Sequence, residues 1–219
     1  MLSFIKKIPI WRRYTTKQHF QWWKNRKIDW QKEYNATWNH PHRFLISSLL
    51  STFNWVSLIE VGCGSGANLI NITQNIKDKQ LGGVDINSDA IALAEKTFVG
   101  GIFKVCPADD VMMSDKSTDV TLTDMTLIYV SPLKIRKHLT ELKRITRNYV
   151  ILCEFNSESW WERLKLRLST GYHAHDYGKL LRDLGFNDIM KYKIPDEMWP
   201  GAKNDKFRFI IKAKVPRRY

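Results

Sequence analysis

A chain of 219 residues, 43% hydrophobic and with nine Trp, is long enough for one full α/β domain and too apolar to stay disordered. No apolar run approaches the roughly 20 residues of a membrane span, and no signal-peptide block opens the chain, so a soluble cytoplasmic protein is expected. The formal net charge of +13 sits at the two ends: residues 1–27 hold eight Lys or Arg and no acid, residues 203–219 hold seven against Asp205 alone, and the stretch between is near neutral.

Such basic ends suit an anionic partner, nucleic acid or a membrane surface, or are solvated charge. The first 27 residues also have the composition of a targeting segment, although Pro9 would break an amphipathic helix there. Cys63, Cys106 and Cys153 show no CxxC spacing and read as reduced, small hydrophobic residues.

Residues 18–50 read as helical, with a break near Asn39-His40-Pro41, and residues 1–50 are expected to form a basic, aromatic helical extension that acts as a lid. From there residues 51–219 form the main domain. Short β-rich runs alternate with helical patterns, the signal for βαβ units and a parallel sheet. Strands are expected at Val56–Val61, Leu81–Asp85, Ile102–Cys106, Thr118–Thr123 and Tyr149–Phe155. Helices are expected at Asn68–Lys77, from Ser88 to about Lys96, and from Pro132 through Ile145. Tyr177–Leu184 is a further helix, closed by Gly185. Asn187–Ile194 and Lys206–Val215 then follow with no helix between them, which implies an antiparallel pair at the sheet edge.

Glu60-Val61-Gly62-Cys63-Gly64-Ser65-Gly66 follows a strand and opens a helix. Glycines let backbone turn tightly and approach a ligand, and a helix N-terminus presents free N–H groups. The spacing is G-x-G-x-G, not the G-x-G-x-x-G of NAD sites, and an acid precedes it. Glu60 suits a ligand ammonium and would repel a pyrophosphate. Asp85, about 20 residues on at a strand tip, suits two ribose hydroxyls. Ala108-Asp109 after the third strand is placed for an adenine amine, or Asp109 is a loop acid.

The ordered set Glu60–Gly66, Asp85, Ala108-Asp109 and Thr123-Asp124 resembles the class I S-adenosylmethionine-dependent methyltransferases, particularly the small-domain group called type 11. The resemblance covers residues 56 to about 155. It implies a Rossmann-like α/β fold: a mostly parallel seven-stranded sheet with an antiparallel edge hairpin and helices on both faces. It also implies that Gly62, Cys63, Gly64 and Gly66 wrap the methionine part of S-adenosyl-L-methionine, with Glu60 beneath. Asp85 would hold the ribose, Ile86 and Ala108 would flank the adenine, and Asp109 would reach its amine. Asp124, Met125 and Tyr129 would border the methyl group. The family often has Leu-x-His-Val where this chain has Leu127-Ile128-Tyr129-Val130.

The Asn/Asp-Pro-Pro-aromatic loop of amino-methylating DNA enzymes is absent after the fourth strand, and Cys106-Pro107 reverses the Pro-Cys of cytosine-C5 enzymes. His40-Pro41-His42 and His173-Ala174-His175-Asp176 are two His pairs, each able to begin a metal site or offer a base. No third ligand accompanies either, so no metal is expected. His173 and His175 are the expected general bases, with Tyr129 beside them, and their alternative role is to cap the helix near Asp176. Trp22, Trp23, Trp30, Tyr34, Trp38, Trp160, Trp161 and Tyr172 are expected in two caps over the acceptor, as binding or simply packing residues. The expected reaction is methyl transfer to an O or N of a small organic acceptor. RNA held by the basic ends is the second reading, and a non-catalytic methyltransferase-like subunit is the third.

Overall fold

The computed structural model describes residues 16–199 and 205–216. Most of the basic N-terminal stretch, and Arg217 and Arg218, therefore lie outside the described residues. Among the described residues three helices come first: α1 (Thr16–Lys24), α2 (Trp30–Thr37) and α3 (Pro41–Leu50). The break expected near His40 is present, and a second falls before Trp30, where the Asp29 side chain accepts from Lys32 N and starts α2. Pro41 occupies the first turn of α3, where its missing N–H costs nothing.

The body then alternates β1 (Ser57–Val61), α4 (Ala67–Asn75), β2 (Gln80–Asp85), α5 (Ser88–Thr97), β3 (Ile102–Val105), β4 (Thr118–Asp124), α6 (Ile135–Ile145) and β5 (Thr146–Phe155). It closes with α7 (Trp160–Thr170), α8 (Tyr177–Asp183), β6 (Asn187–Lys193) and β7 (Arg208–Lys214). The expected helix at Pro132 begins at Ile135, because Ser131 O takes the N–H groups of both Lys134 and Ile135 in a preceding turn. β5 begins three residues earlier than expected, where Thr146 pairs with Thr118 beside β4.

The seven strands run in the order β3-β2-β1-β4-β5-β7-β6. The first five are parallel, and β7 pairs antiparallel with both β5 and β6. Both faces of the sheet are covered, so β1 and β4 bury nearly every residue. One core layer joins Val61, Leu139, Leu142, Val150 and Tyr177, and the other joins Ile46, Leu50, Leu58, Leu69 and Ile151. Ile46 and Leu50 of α3 are fully buried in that second layer, so packing is continuous across residues 50 and 51. From β1 the chain winds outward through β2 and β3, then returns to lay β4 on the other side. The crevice beyond the carboxyl ends of β1 and β4 is the switch point where α/β sheets bind ligands. Among the described residues no helix is long and apolar enough to cross a membrane.

Candidate active site

The turn after β1 is pinned by one carbonyl: Val84 O accepts from Gly62 N at 2.7 Å and from Cys63 N at 3.1 Å. Gly62 and Gly66 carry φ of +79° and +90°, and a Cβ there would meet Thr126 Oγ1 at 2.1 Å or the Phe98 ring at 2.5 Å. Gly64, at φ +52°, differs: its nearest atom would be Trp30 Cζ3 at 3.9 Å, so its bare Cα faces open space. Two glycines thus make the turn possible, and the third clears a surface.

That space is a cavity of about 450 Å³. Glu60, Gly62, Cys63, Gly64, Asp85, Ile86, Ala108, Asp109, Asp124, Met125 and Tyr129, all expected site residues, line it. Gly66 stands behind it as the N-cap of α4. Asp85 accepts from Gly64 N and Asn87 N, both at 2.9 Å, which fixes its carboxylate at the β2 tip. Burial pushes its pKa up, against the pull of those N–H groups. Asp109 accepts from Lys137 Nζ at 3.0 Å; burial would raise its pKa, but Lys137 brings it below the usual value.

Glu60 is 2% exposed. Its Oε1 accepts from Asn68 Nδ2 at 2.6 Å, while the buried Oε2 has no partner. Burial pushes its pKa up to about 8, against the hydrogen bond from Asn68. Asn68 Nδ2 also lies 3.0 Å from Asp124 Oδ2, which receives Arg43 Nη1 and His42 Nε2 at 2.9 Å each. Burial would raise Asp124, but His42, Arg43 and Asn68 together hold it well below the carboxylate range. His42 Nδ1 meets His40 Nδ1 at 2.6 Å, and Trp199 stacks on the His42 ring at 4.0 Å. Burial, then His42 and Arg43, lower His40 to about 4. Among the described residues, His42, Asp124 and Cys153 bring ligand atoms within 4.8 Å. Arg43 on the same carboxylate oxygen opposes a cation there.

The strand-tip loop is set from beneath. Buried Glu154 accepts from Thr126 N at 3.0 Å and Leu127 N at 3.1 Å. Met125 takes φ +51°, unusual for a side-chain-bearing residue and here at the cavity floor.

Several expectations are corrected. His173 and His175 do not line the cavity. His175 Nε2 lies 3.0 Å from Val130 O and His173 N donates to Ile128 O, so both brace the loop that carries Tyr129. Burial lowers them to about 3 and about 4, respectively. Nor do they cap the next helix, since Asp176 itself accepts from Lys179 N. Of the eight aromatics expected as caps, Trp23 and Trp30 line the cavity, whereas Trp160 and Trp161 face outward at 67% and 50% exposure. His19, Phe20 and Trp199, which the sequence did not single out, join the wall together with His40 and His42.

Residues 58–148 match the model of a family described as a methyltransferase domain. These residues therefore carry a methyltransferase domain, in the fold of the class I S-adenosylmethionine-dependent enzymes. Magnesium protoporphyrin IX methyltransferase of Synechocystis PCC 6803, solved with bound S-adenosylmethionine, shares the methyltransferase's fold at 16% identity and TM-score 0.61, covering 94% of this chain and 96% of that one. The PH0226 protein of Pyrococcus horikoshii OT3 does so at 16% identity and TM-score 0.62, over 88% and 93%. A Haemonchus contortus phosphoethanolamine N-methyltransferase, solved with phosphomonomethylethanolamine and S-adenosylhomocysteine, gives 12% identity and TM-score 0.58, over 75% and 50%. No curated protein matches the chain.

The cavity's donor set fits the cofactor of this methyltransferase. An ammonium finds the unpartnered Glu60 Oε2, two hydroxyls find a fixed carboxylate at Asp85, and the Gly64 face admits close approach.

Proposed function

We propose that this methyltransferase transfers its methyl group to an oxygen or nitrogen of a small organic acceptor. The observation that carries the reading is the shared cavity: the cofactor cradle and the walls from α1, α2, α3 and Trp199 line one space of about 450 Å³. Such a concave chamber suits a small molecule, whose surface it buries, better than a backbone-tracking groove.

When bound, S-adenosylmethionine supplies an electrophilic methyl on its sulfonium. Glu60 would hold the ammonium, the turn at Gly62–Gly66 the methionine part, and Asp85 the ribose. Ile86, Ala108 and Asp109 would take the adenine. Trp23, Met125 and Tyr129 would bound the transfer site and exclude water. Burial first, then Tyr172, pushes the Tyr129 hydroxyl well above its usual pKa, so it serves as a donor and not as a base.

The base we assign is His40, steered by His42 and Asp124. A carboxylate can only accept, so His42 Nε2–H donates to Asp124 Oδ2. His42 Nδ1 then accepts from His40 Nδ1–H, leaving His40 Nε2 to take a proton from the acceptor's O–H or N–H. The test is incubation with methyl-labelled cofactor against panels of hydroxyl- and amine-bearing metabolites and of RNA. A labelled small product, lost in His40→Gln with S-adenosylhomocysteine affinity unchanged, supports both assignments. Label in RNA alone would move the acceptor to nucleic acid.

A further inference from the structure

Helix α7 is fastened on one side only. Leu166, 3% exposed, joins Ile128, Phe155, Ala174 and Phe207 in a small core cluster. Ser159 caps the N-terminus by accepting from Glu162 N, and Gly171 closes the C-terminus with φ +84°. Arg163 adds a clamp, donating to Ser157 O at 2.7 Å and Glu158 O at 2.9 Å. The helix is therefore firmly placed.

Its outer face is apolar. Trp160, Trp161, Leu164 and Leu168 are exposed by 67%, 50%, 38% and 52%. At 100° per residue these four side chains fall within an arc of roughly 100°, the width of an apolar stripe that normally faces a core. Cations flank it. Lys165 lies on one side with Nζ 5.3 Å from the Trp161 ring, and Arg167, which donates to Gly171 O, lies on the other. The helix's one acid, Glu162, is tied to Lys206 at 2.7 Å.

We propose that the Trp160–Leu168 face of α7 docks this methyltransferase on an anionic lipid surface. Trp and Leu beside Lys and Arg are the side chains that settle at the boundary of headgroups and acyl chains. Within α7 itself Arg163, Lys165 and Arg167 stand against Glu162 alone, which adds the attraction that a negative bilayer requires. A protein-binding face centred on two Trp would more commonly be rimmed by mixed charges and depleted of Lys.

The test is co-sedimentation of the full chain with vesicles of phosphatidylcholine containing 30% phosphatidylglycerol, alongside pure phosphatidylcholine, with Trp emission recorded. The account predicts binding to the anionic vesicles only, a blue shift, and weakening with salt. The double variant Trp160→Ser/Trp161→Ser should bind about tenfold or more weakly, because two interfacial anchors are lost. Leu164→Ser/Leu168→Ser, which leaves the aromatics, should also weaken it. S-adenosylhomocysteine affinity should be unchanged in both, reporting an intact fold. Failure to sediment, equal binding to neutral vesicles, or retained binding in both variants would overturn the proposal. So would a dimer in sedimentation velocity that both variants disperse, which would assign the stripe to a second copy of the chain.

Discussion

Replacing Glu60 with Gln should stabilise the cofactor-free protein more at high pH than at low pH, while weakening cofactor binding. Burial raises the Glu60 pKa from 4.5 to about 8 in the folded chain. The sign follows from that direction. An acid whose folded pKa is raised binds more protons in the native state, so stability is fully present below pH 4.5 and is lost as pH rises through 8. By pH 6 the loss amounts to about 1.5 pKa units, and by pH 9 to nearly the whole shift of about 3.5. At 1.36 kcal/mol per unit, Glu60 costs on the order of 2–3 kcal/mol more at pH 9 than at pH 6. Gln keeps the Oε1 acceptor for Asn68 and cannot ionise, so it escapes this cost. Buried Glu154 has a similar upward shift, but it is common to both proteins and cancels in the difference. The assay is urea unfolding of wild type and Glu60→Gln at pH 6 and pH 9. The stability difference should move in favour of Gln by roughly 2–3 kcal/mol between the two pH values. A difference that stays constant would refute the raised pKa and, with it, a Glu60 carboxyl awaiting a cation.

Asp85→Ala should weaken S-adenosylhomocysteine binding by on the order of 2–4 kcal/mol, since a fixed charged acceptor is lost; unchanged affinity in a folded variant would remove Asp85 from the ribose role. Gly62→Ala and Gly100→Ala both force a side chain into positive φ, but only at Gly62 does a neighbour stand at 2.1 Å, whereas nothing lies within 4 Å of Gly100. Thermal denaturation should register about 1 kcal/mol for Gly100→Ala and at least about 3 kcal/mol for Gly62→Ala; equal losses would show that the Thr126 contact is harmless. Trp30, His40 and His42 line the cofactor cavity, so protease cleavage within residues 28–50 should slow when S-adenosylhomocysteine is added. Identical cleavage rates would separate this segment from the site.

The cofactor cradle was legible in the sequence because its parts are local. A turn of seven residues, the tip of the next strand and the loop after the third each carry their own signal of spacing and residue type. The parallel sheet followed from βαβ alternation, and the antiparallel edge pair from the missing helix before β7. The polar chain of His40, His42 and Asp124 was not legible, because 82 residues separate His42 from the carboxylate it meets. The His40-Pro41-His42 pair stood out, but no local pattern says which of two His pairs the sheet will place beside β4. The other pair lies behind the loop, where Val130 O meets His175 Nε2 and Ile128 O accepts from His173 N. Trp160 and Trp161 carried a misleading signal. Aromatic content marks a residue that wants cover without naming what covers it, and here Leu166 on the opposite face turns them outward. Trp199 and Glu154 gave no signal, since Trp199 meets the His42 ring from the far end of the chain and Glu154 meets Thr126 N only once β4 and β5 pair.

The most direct test of the central claim is calorimetric titration of the protein with S-adenosylhomocysteine and, separately, with NAD. Gly64→Val, whose side chain would enter the cavity beside Trp30, serves as the control, with circular dichroism showing that the strained φ of +52° leaves the fold intact. The account predicts one S-adenosylhomocysteine site per chain, lost in Gly64→Val, and no heat from NAD. Tight NAD binding with no response to S-adenosylhomocysteine would contradict it.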